Sequence, residues 1–479
     1  MSYYPVLIVG AGPAGLTAAY ELVKRGIRPL VLEKSGYVGG IARTEVYKGY
    51  RFDIGGHRFY TKVEAVNRLW EEILGEDFRL RPRLSRIYYN GKFYHYPLQL
   101  FNVIGNLGVI ESFLILFSYF KAQLWKLPEE HTFEQWVSNR FGERLYRTFF
   151  KTYTEKVWGI PCSQIQAEWA AQRIKDLSFQ AAVLNALYRN KRNVHIKTLI
   201  SQFHYPVLGP GMMWERCQAL IEQQGGTIWL HAEIVRLRRD GPRITGVTVR
   251  KGTETVDLSG DHILSTMPLK ELCSRLDPPP PPDVMDASRG LTYRDFLIVG
   301  LILNRAETFP DNWIYVHSPE VRVGRIQNFK NWSPELVPDP SRTSLGMEYF
   351  CNEGDVLWGM QDADLIDLAG RELDRLGLAR RADVEDGVVI RQPKAYPVYD
   401  AHYRRHLEVI KRFVNGLSNL QTVGRNGMHR YNNQDHSMLA AMLAVRNILG
   451  ESHDLWEVNT ERSYYEEFMT EGAQQAALE

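Results

Sequence analysis

The apolar run Val6-Leu7-Ile8-Val9, followed at once by Gly10-x-Gly12-x-x-Gly15, constrains this chain more than any other stretch. The run reads as a buried strand. Leu16 to Lys24 has helical periodicity closed by Gly26, and a second apolar run, Pro29 to Leu32, ends on Glu33. Strand, glycine turn, helix and strand in this order form a dinucleotide-binding unit. Glycines let the backbone approach a pyrophosphate, and the start of the helix offers it unpaired N–H groups and the positive dipole end. Gly10, Gly12, Pro13, Ala14 and Gly15 are therefore expected at the cofactor, with Glu33 on a ribose hydroxyl and Lys34 beside it.

Two further glycine elements indicate which dinucleotide. Gly39-Gly40-x-x-Arg43 follows the second strand, and Asp53-x-Gly55-Gly56-His57 follows a third short extended run. Such paired glycines suit a second backbone passage along the same cofactor, which nicotinamide enzymes do not need. The expected cofactor is FAD. A glycine-proline turn before a helix near residue 209 and the strands after it read as the second half of the same domain, with the backbone at Ile234-Val235 meeting the adenine.

The fold class expected is α/β, α+β overall. A discontinuous Rossmann-type FAD domain takes residues 1–80, 201–277 and 401–479, a mainly helical insert 81–200, and an antiparallel β-sheet substrate domain 283–400. The five prolines 278–282 mark the linker. Length alone suggests about three domains. Thr61, Thr132 and Asp435 read as helix N-caps.

The 58 basic and 56 acidic residues leave a net charge of +2, so nothing points to nucleic acid. Four scattered cysteines read as reduced core residues of a cytoplasmic protein, and no secretory signal precedes the first strand. Polar residues break the apolar stretch Leu98–Trp125 too often for a membrane-spanning helix. It reads as a buried helix or a homo-oligomer face, with a helix resting on a membrane as the alternative. No metal-ligand spacing and no protein nucleophile with its base are present, so a flavin must carry the chemistry.

Particular motifs give this a direction. YTEKVWG (153–159) resembles a motif of bacterial UDP-galactopyranose mutases, and GRxGxxRYxNQDHS (424–437) resembles the C-terminal motif of the eukaryotic ones. The likeness extends over the Gly55-Gly56-His57 loop, the YPLQ stretch with Tyr96 and Gln99, the segment with Arg173, NWIY ending on Tyr315, Arg325, and Tyr396 in KAYP. It implies that Arg173 and Arg325 clamp a nucleotide-sugar diphosphate. Trp158, Tyr315, Tyr396 and Tyr431 would line that site. The resemblance also implies that His57 borders the reactive flavin edge, that Gly424 and Arg425 contact the flavin, and that the helix opened by Asp435, His436, Ser437 and Met438 faces its pyrimidine side.

The chemistry so implied is attack of reduced flavin N5 on the anomeric carbon, loss of the nucleotide diphosphate and reclosure of the sugar in the smaller ring, without net redox. Thr154 stands where the eukaryotic enzymes have an asparagine. GGHRFYTK and HYPVLGPGMMWERC look more like the wider amine-oxidase-like and protoporphyrinogen-oxidase-like flavoproteins. These departures suggest a sister group of the mutases with another glycosyl substrate; an FAD oxidase or desaturase is the alternative.

Overall fold

The apolar run at the N-terminus becomes the centre of an eight-stranded sheet. Strand Ser2–Val9 lies parallel to Leu30–Leu32 on one side and to Glu254–Ser265 on the other, and its Val6–Val9 half is buried. Thr227–Trp229 extends the sheet beyond Leu30–Leu32, Leu420–Thr422 pairs with the end of Glu254–Ser265, and an antiparallel flap of Ala232–Asp240 and Arg243–Lys251, edged by the short strand Leu276–Asp277, completes it. In such a sheet ligands bind outside the carboxyl ends of the parallel strands, and Gly10 sits there. The computed structural model describes residues 2–96, 100–167 and 202–459. Gln99 and Arg173, and the amphipathic stretch around the latter, lie outside the described residues.

The second sheet has seven strands, in the order Val384–Pro397, Tyr293–Leu303, Thr343–Cys351, Arg325–Asn328, Trp313–Val316, Ser85–Tyr89 and Lys92–His95. All its pairs are antiparallel except Trp313–Val316 with Ser85–Tyr89, which is parallel. The hairpin 85–95, expected in the helical insert, is thus the edge of this sheet. Alternation along the strands gives the sheet two different faces. Ile314, Val316, Ile326 and Met347 pack under helix Asp362–Arg375. Tyr315, Phe296 and Tyr396 belong to the opposite face, with the aromatic core of the helical segment.

Local signals fixed the helix ends only partly. Helix Pro13–Val23 begins three residues before its periodicity does, because proline at its first position needs no donor. Thr132 caps Phe133–Phe141 through a full capping box with Gln135. Thr61 does not cap Glu64–Leu74; Val63 holds that position, and the Thr61 hydroxyl instead accepts from the Val63 N–H. Asp435 is likewise not a cap. Asn433 is, paired reciprocally with His436 at the start of Gln434–Ile448. The expected linker 278–282 ends inside helix Pro282–Gly290.

The stretch 98–125 departs from the first of its readings, a buried helix. It forms helices Leu100–Leu107 and Val109–Leu124, and the second buries only Ser112, Ile115 and Tyr119 while much of its apolar face is exposed. Apolar composition predicted a helix but could not say which face finds a partner. No helix among the described residues is long and apolar enough to cross a membrane.

Candidate cofactor and substrate cleft

A cleft of about 510 Å³ runs from Gly10 to the face of the seven-stranded sheet that carries Tyr315 and Arg325. At its sheet end the glycines do what their spacing implies. Gly10 has φ +95°, and a Cβ on Gly15 would lie 1.9 Å from the Gly10 carbonyl oxygen, so helix Pro13–Val23 seats directly on the turn. No side chain caps that helix, and Gly12, Pro13 and Ala14 line the cleft at its start. The Gly39 N–H donates to Ala11, which brings Gly40 against Gly12.

Glu33 accepts from the Ala11 N–H (2.8 Å) on one oxygen and from Ser35 on the other. The oxygen that accepts from Ala11 keeps a further lone pair for a ribose hydroxyl. Lys34 and Arg43 also line the wall, Arg43 being held by Glu45, Gly40 and Gln392. Ile234 lines the cleft and Val235 does not. Gly15, Gly39, His436 and Met438 are also outside the lining; Met438 is core, its sulfur accepting from the Trp70 indole.

The other end is built by residues far apart in the chain. Arg325 and Glu348 are directly opposed on neighbouring strands, and the Arg325 Nε donates to the carboxylate at 2.5 Å. Glu348 is fully buried and also accepts from Gln327 (2.8 Å). Burial raises the Glu348 carboxyl, and the adjacent guanidinium opposes that rise. The terminal nitrogens of Arg325 donate to no described residue, and one lies 3.6 Å from where a Cβ on Gly55 would stand. The guanidinium therefore faces the Gly55-Gly56 turn, which lines the cleft with His57.

The His57 ring bonds the Ile54 carbonyl through Nε2 (2.8 Å). Burial, with Arg425 and Arg325 nearby, pushes its pKa down to about 4, so at neutral pH Nε2–H donates and the ring is uncharged. Arg425 donates to the carbonyls of Asn432 and Ala395 and lies over the rings of Tyr396 and Tyr431, which stack at 5.5 Å. Gly424, Asp435 and Ser437 line the cleft beside it, so the start of helix Gln434–Ile448 opens there. Trp158 packs 6.3 Å from Tyr396, and Tyr96 lies 5.2 Å from Tyr315, each one ring behind the lining.

Several residues at this end carried no separate expectation. Tyr153 sits between Tyr315 and His317, stacking on the imidazole at 4.8 Å. Burial raises its phenol well above the ordinary value, as it also raises Tyr396, so both remain hydrogen-bond donors. Glu348 is a lone acid in the otherwise uncharged strand Thr343–Cys351, a signal present in the sequence. The Lys156 ammonium donates to the carbonyls of Ser318 (2.6 Å), Val323 (3.2 Å) and Val316 (3.3 Å). It ties the helix carrying Tyr153 and Trp158 to the loop between Tyr315 and Arg325.

Lys156→Met should therefore weaken binding of a ligand at this end of the cleft by about tenfold, roughly 1.4 kcal/mol. A calorimetric titration reads this, and an unchanged affinity would show that the clasp does not position the strands.

His317 is buried and its pKa is pushed down to about 3 by burial and by Lys156. Its folded value lies below the unfolded one, so its contribution is complete above pH 6.5 and is lost as pH falls toward the folded value. Asp53, pushed up to about 7 by burial, works in the opposite sense over that range. The difference in unfolding free energy between the wild type and His317→Gln isolates the imidazole. It should shift against the wild type by about 3 kcal/mol between pH 7 and 4; a constant difference would contradict the assignment.

A family model for flavin-containing amine oxidoreductases matches residues 13–389. The chain belongs to that family. Its cofactor is FAD, and the uncapped helix start, the close glycines and Glu33 fit the ADP half of that molecule. Among curated proteins it is 26% identical to a probable UDP-galactopyranose mutase from Klebsiella pneumoniae over 174 residues, 34% of this chain and 43% of that one. It is 25% identical to a 1-hydroxycarotenoid 3,4-desaturase from Flavobacterium over 275 residues, 53% of this chain and 55% of that one. The chain spans about half the length of the curated relatives it matches.

A crystal structure of reduced UDP-galactopyranose mutase superposes with a TM-score of 0.82 at 21% identity, covering 95% of this chain and 98% of that one. A putative protoporphyrinogen oxidase from Exiguobacterium gives 0.71 at 17% identity, covering 94% and 99%. The likeness to these structures is one of fold.

Proposed function

We propose that this flavoprotein isomerises a nucleotide-diphosphate sugar between its pyranose and furanose forms without net redox. The observation that carries the reading is the Arg325 guanidinium, held on one edge by buried Glu348 and open on the other toward the Gly55-Gly56 turn. A fixed guanidinium with free N–H groups in a cleft is suited to bidentate binding of diphosphate oxygens. Reduced FAD would supply the nucleophile for the anomeric carbon.

The remaining roles follow from the surroundings. Tyr315, Tyr396 and Tyr431 form an aromatic wall, with Tyr153 packed behind Tyr315, and protonated Tyr396 offers a hydroxyl donor to sugar or phosphate oxygens. Arg425, tied to two carbonyls, fixes the two stacked tyrosines. Uncharged His57 can accept at Nδ1 but adds no positive charge beside the sugar. Glu348 positions Arg325. Arg173, outside the described residues, remains the expected second arginine on the diphosphate. The domain division 1–80, 201–277 and 401–479 for FAD, with 283–400 for substrate, is part of the same proposal, and its sheet edge extends to the hairpin 85–95.

Titration of sugar nucleotides against reduced and oxidised enzyme, followed through the flavin spectrum, tests the reading. Saturable perturbation of the reduced flavin by a nucleotide-diphosphate sugar is expected. Bleaching of oxidised flavin by an amine or a polyene, with peroxide release, would instead establish the oxidoreductase alternative.

A further inference from the structure

Helix Val109–Leu124 presents its apolar side outward. Val109, Ile110, Phe113, Phe117, Phe120 and Leu124 recur at three- and four-residue spacing along one side, so they form one continuous stripe. Ile110 is 80% exposed, Phe113 67% and Phe117 63%. Trp125 and Leu127 continue the exposed apolar surface past the helix end. A contiguous stripe of this size marks an interaction surface.

The charges around the stripe select the occupant. Glu111, at the flank, is neutralised by Arg144 through two bonds of 2.6 and 2.7 Å. Glu143 pairs with Arg147 and Glu130 with Arg140, while Glu129, beyond the helix, lies against His131. Lys121 falls within the stripe, four residues after Phe117 and three before Leu124, and has no ion-pair partner among the described residues; nor has Lys126 beside Trp125. Packing against a second copy would bury the Lys121 ammonium with no acid on the same face, which is costly. At a lipid surface the lysine stem covers apolar groups while the ammonium reaches the phosphates, and tryptophan favours the same boundary. The helix is about 24 Å long, short of the roughly 30 Å hydrocarbon core, so it lies along the surface.

We propose that helix Val109–Leu124 docks in the plane of an anionic phospholipid bilayer, with Phe113, Phe117 and Leu124 at the acyl boundary and Lys121 and Lys126 at the phosphates. The surface is remote in kind from the cleft chemistry, so the proposal stands or falls independently of the function assigned there.

The test is flotation of the full-length, flavin-loaded protein with phosphatidylcholine vesicles that contain or lack phosphatidylglycerol. The protein should float with the anionic vesicles, and added salt should weaken this. Phe113→Ser with Phe117→Ser should abolish flotation, and Lys121→Gln with Lys126→Gln should reduce partitioning by roughly tenfold or more. These side chains are exposed, so the variants should retain FAD, and flavin content verifies that they are folded. Absence of flotation in the wild type overturns the proposal, whether light scattering then shows a monomer or an oligomer that Phe117→Glu dissociates. Flotation unaffected by the paired serine substitutions would also overturn it.

Discussion

Arg325→Ala is expected to abolish sugar-nucleotide binding and to destabilise the fold by about 3–5 kcal/mol, because it leaves a buried carboxylate without its partner. Glu348 has no exposed surface, and its one other donor among the described residues is Gln327. The two effects can be separated. Adding Glu348→Gln replaces the stranded carboxylate with a neutral amide, so the double variant should recover most of the lost stability. It should not recover binding, since the free N–H groups facing the Gly55-Gly56 turn remain absent. Chemical denaturation and calorimetry on the single and double variants read the two quantities. Recovery of binding together with stability would mean that Arg325 is a structural ion-pair member and that the diphosphate binds elsewhere.

Gly15→Ala should yield protein without flavin. The added Cβ would stand 1.9 Å from the Gly10 carbonyl oxygen and 3.0 Å from its carbon, both backbone atoms fixed by the sheet. Helix Pro13–Val23 must then lift away from the turn, and the N–H groups that face the pyrophosphate move with it. Overpacking of this kind costs about 1–3 kcal/mol in stability, and the loss of cofactor adds to it by linkage. Gly105→Ala is the matched control: nothing lies within 4 Å of its added Cβ, and alanine in an exposed helix is favoured by about 1 kcal/mol. Gly105→Ala should retain FAD and gain slightly in melting temperature. Flavin absorbance per protein after purification distinguishes the two, and a Gly15→Ala protein with full flavin would refute the seating of that helix.

What was legible in the sequence follows from the range of the physics involved. The glycine turn and the Thr132 cap depend on neighbours a few residues away, and the structure has both elements as read. Cap positions at 61 and 435 slipped by two residues because threonine and aspartate can bond nearby backbone without closing the helix. The parallel pairing of Ser85–Tyr89 with Trp313–Val316 joins segments more than two hundred residues apart, and nothing local announces it. Arg325 was singled out through resemblance, whereas Glu348, which fixes its orientation, was visible as the one charge in a buried strand. The stretch holding Val109–Leu124 reads as a buried helix, an oligomer face or a helix resting on a membrane, because hydrophobic spacing reports a face, not what covers it.

The central claim is isomerisation without net redox, and the most direct measurement is anaerobic incubation of the dithionite-reduced enzyme with UDP-galactofuranose and other nucleotide-diphosphate furanoses, with products separated by chromatography. The account predicts conversion of at least one of them to its pyranose form, with no oxygen consumed when air is readmitted beyond flavin reoxidation, and no conversion by the oxidised enzyme or by Arg325→Ala. Turnover of the oxidised enzyme on an amine or polyene with stoichiometric peroxide, and no isomerisation of any nucleotide sugar, would contradict it.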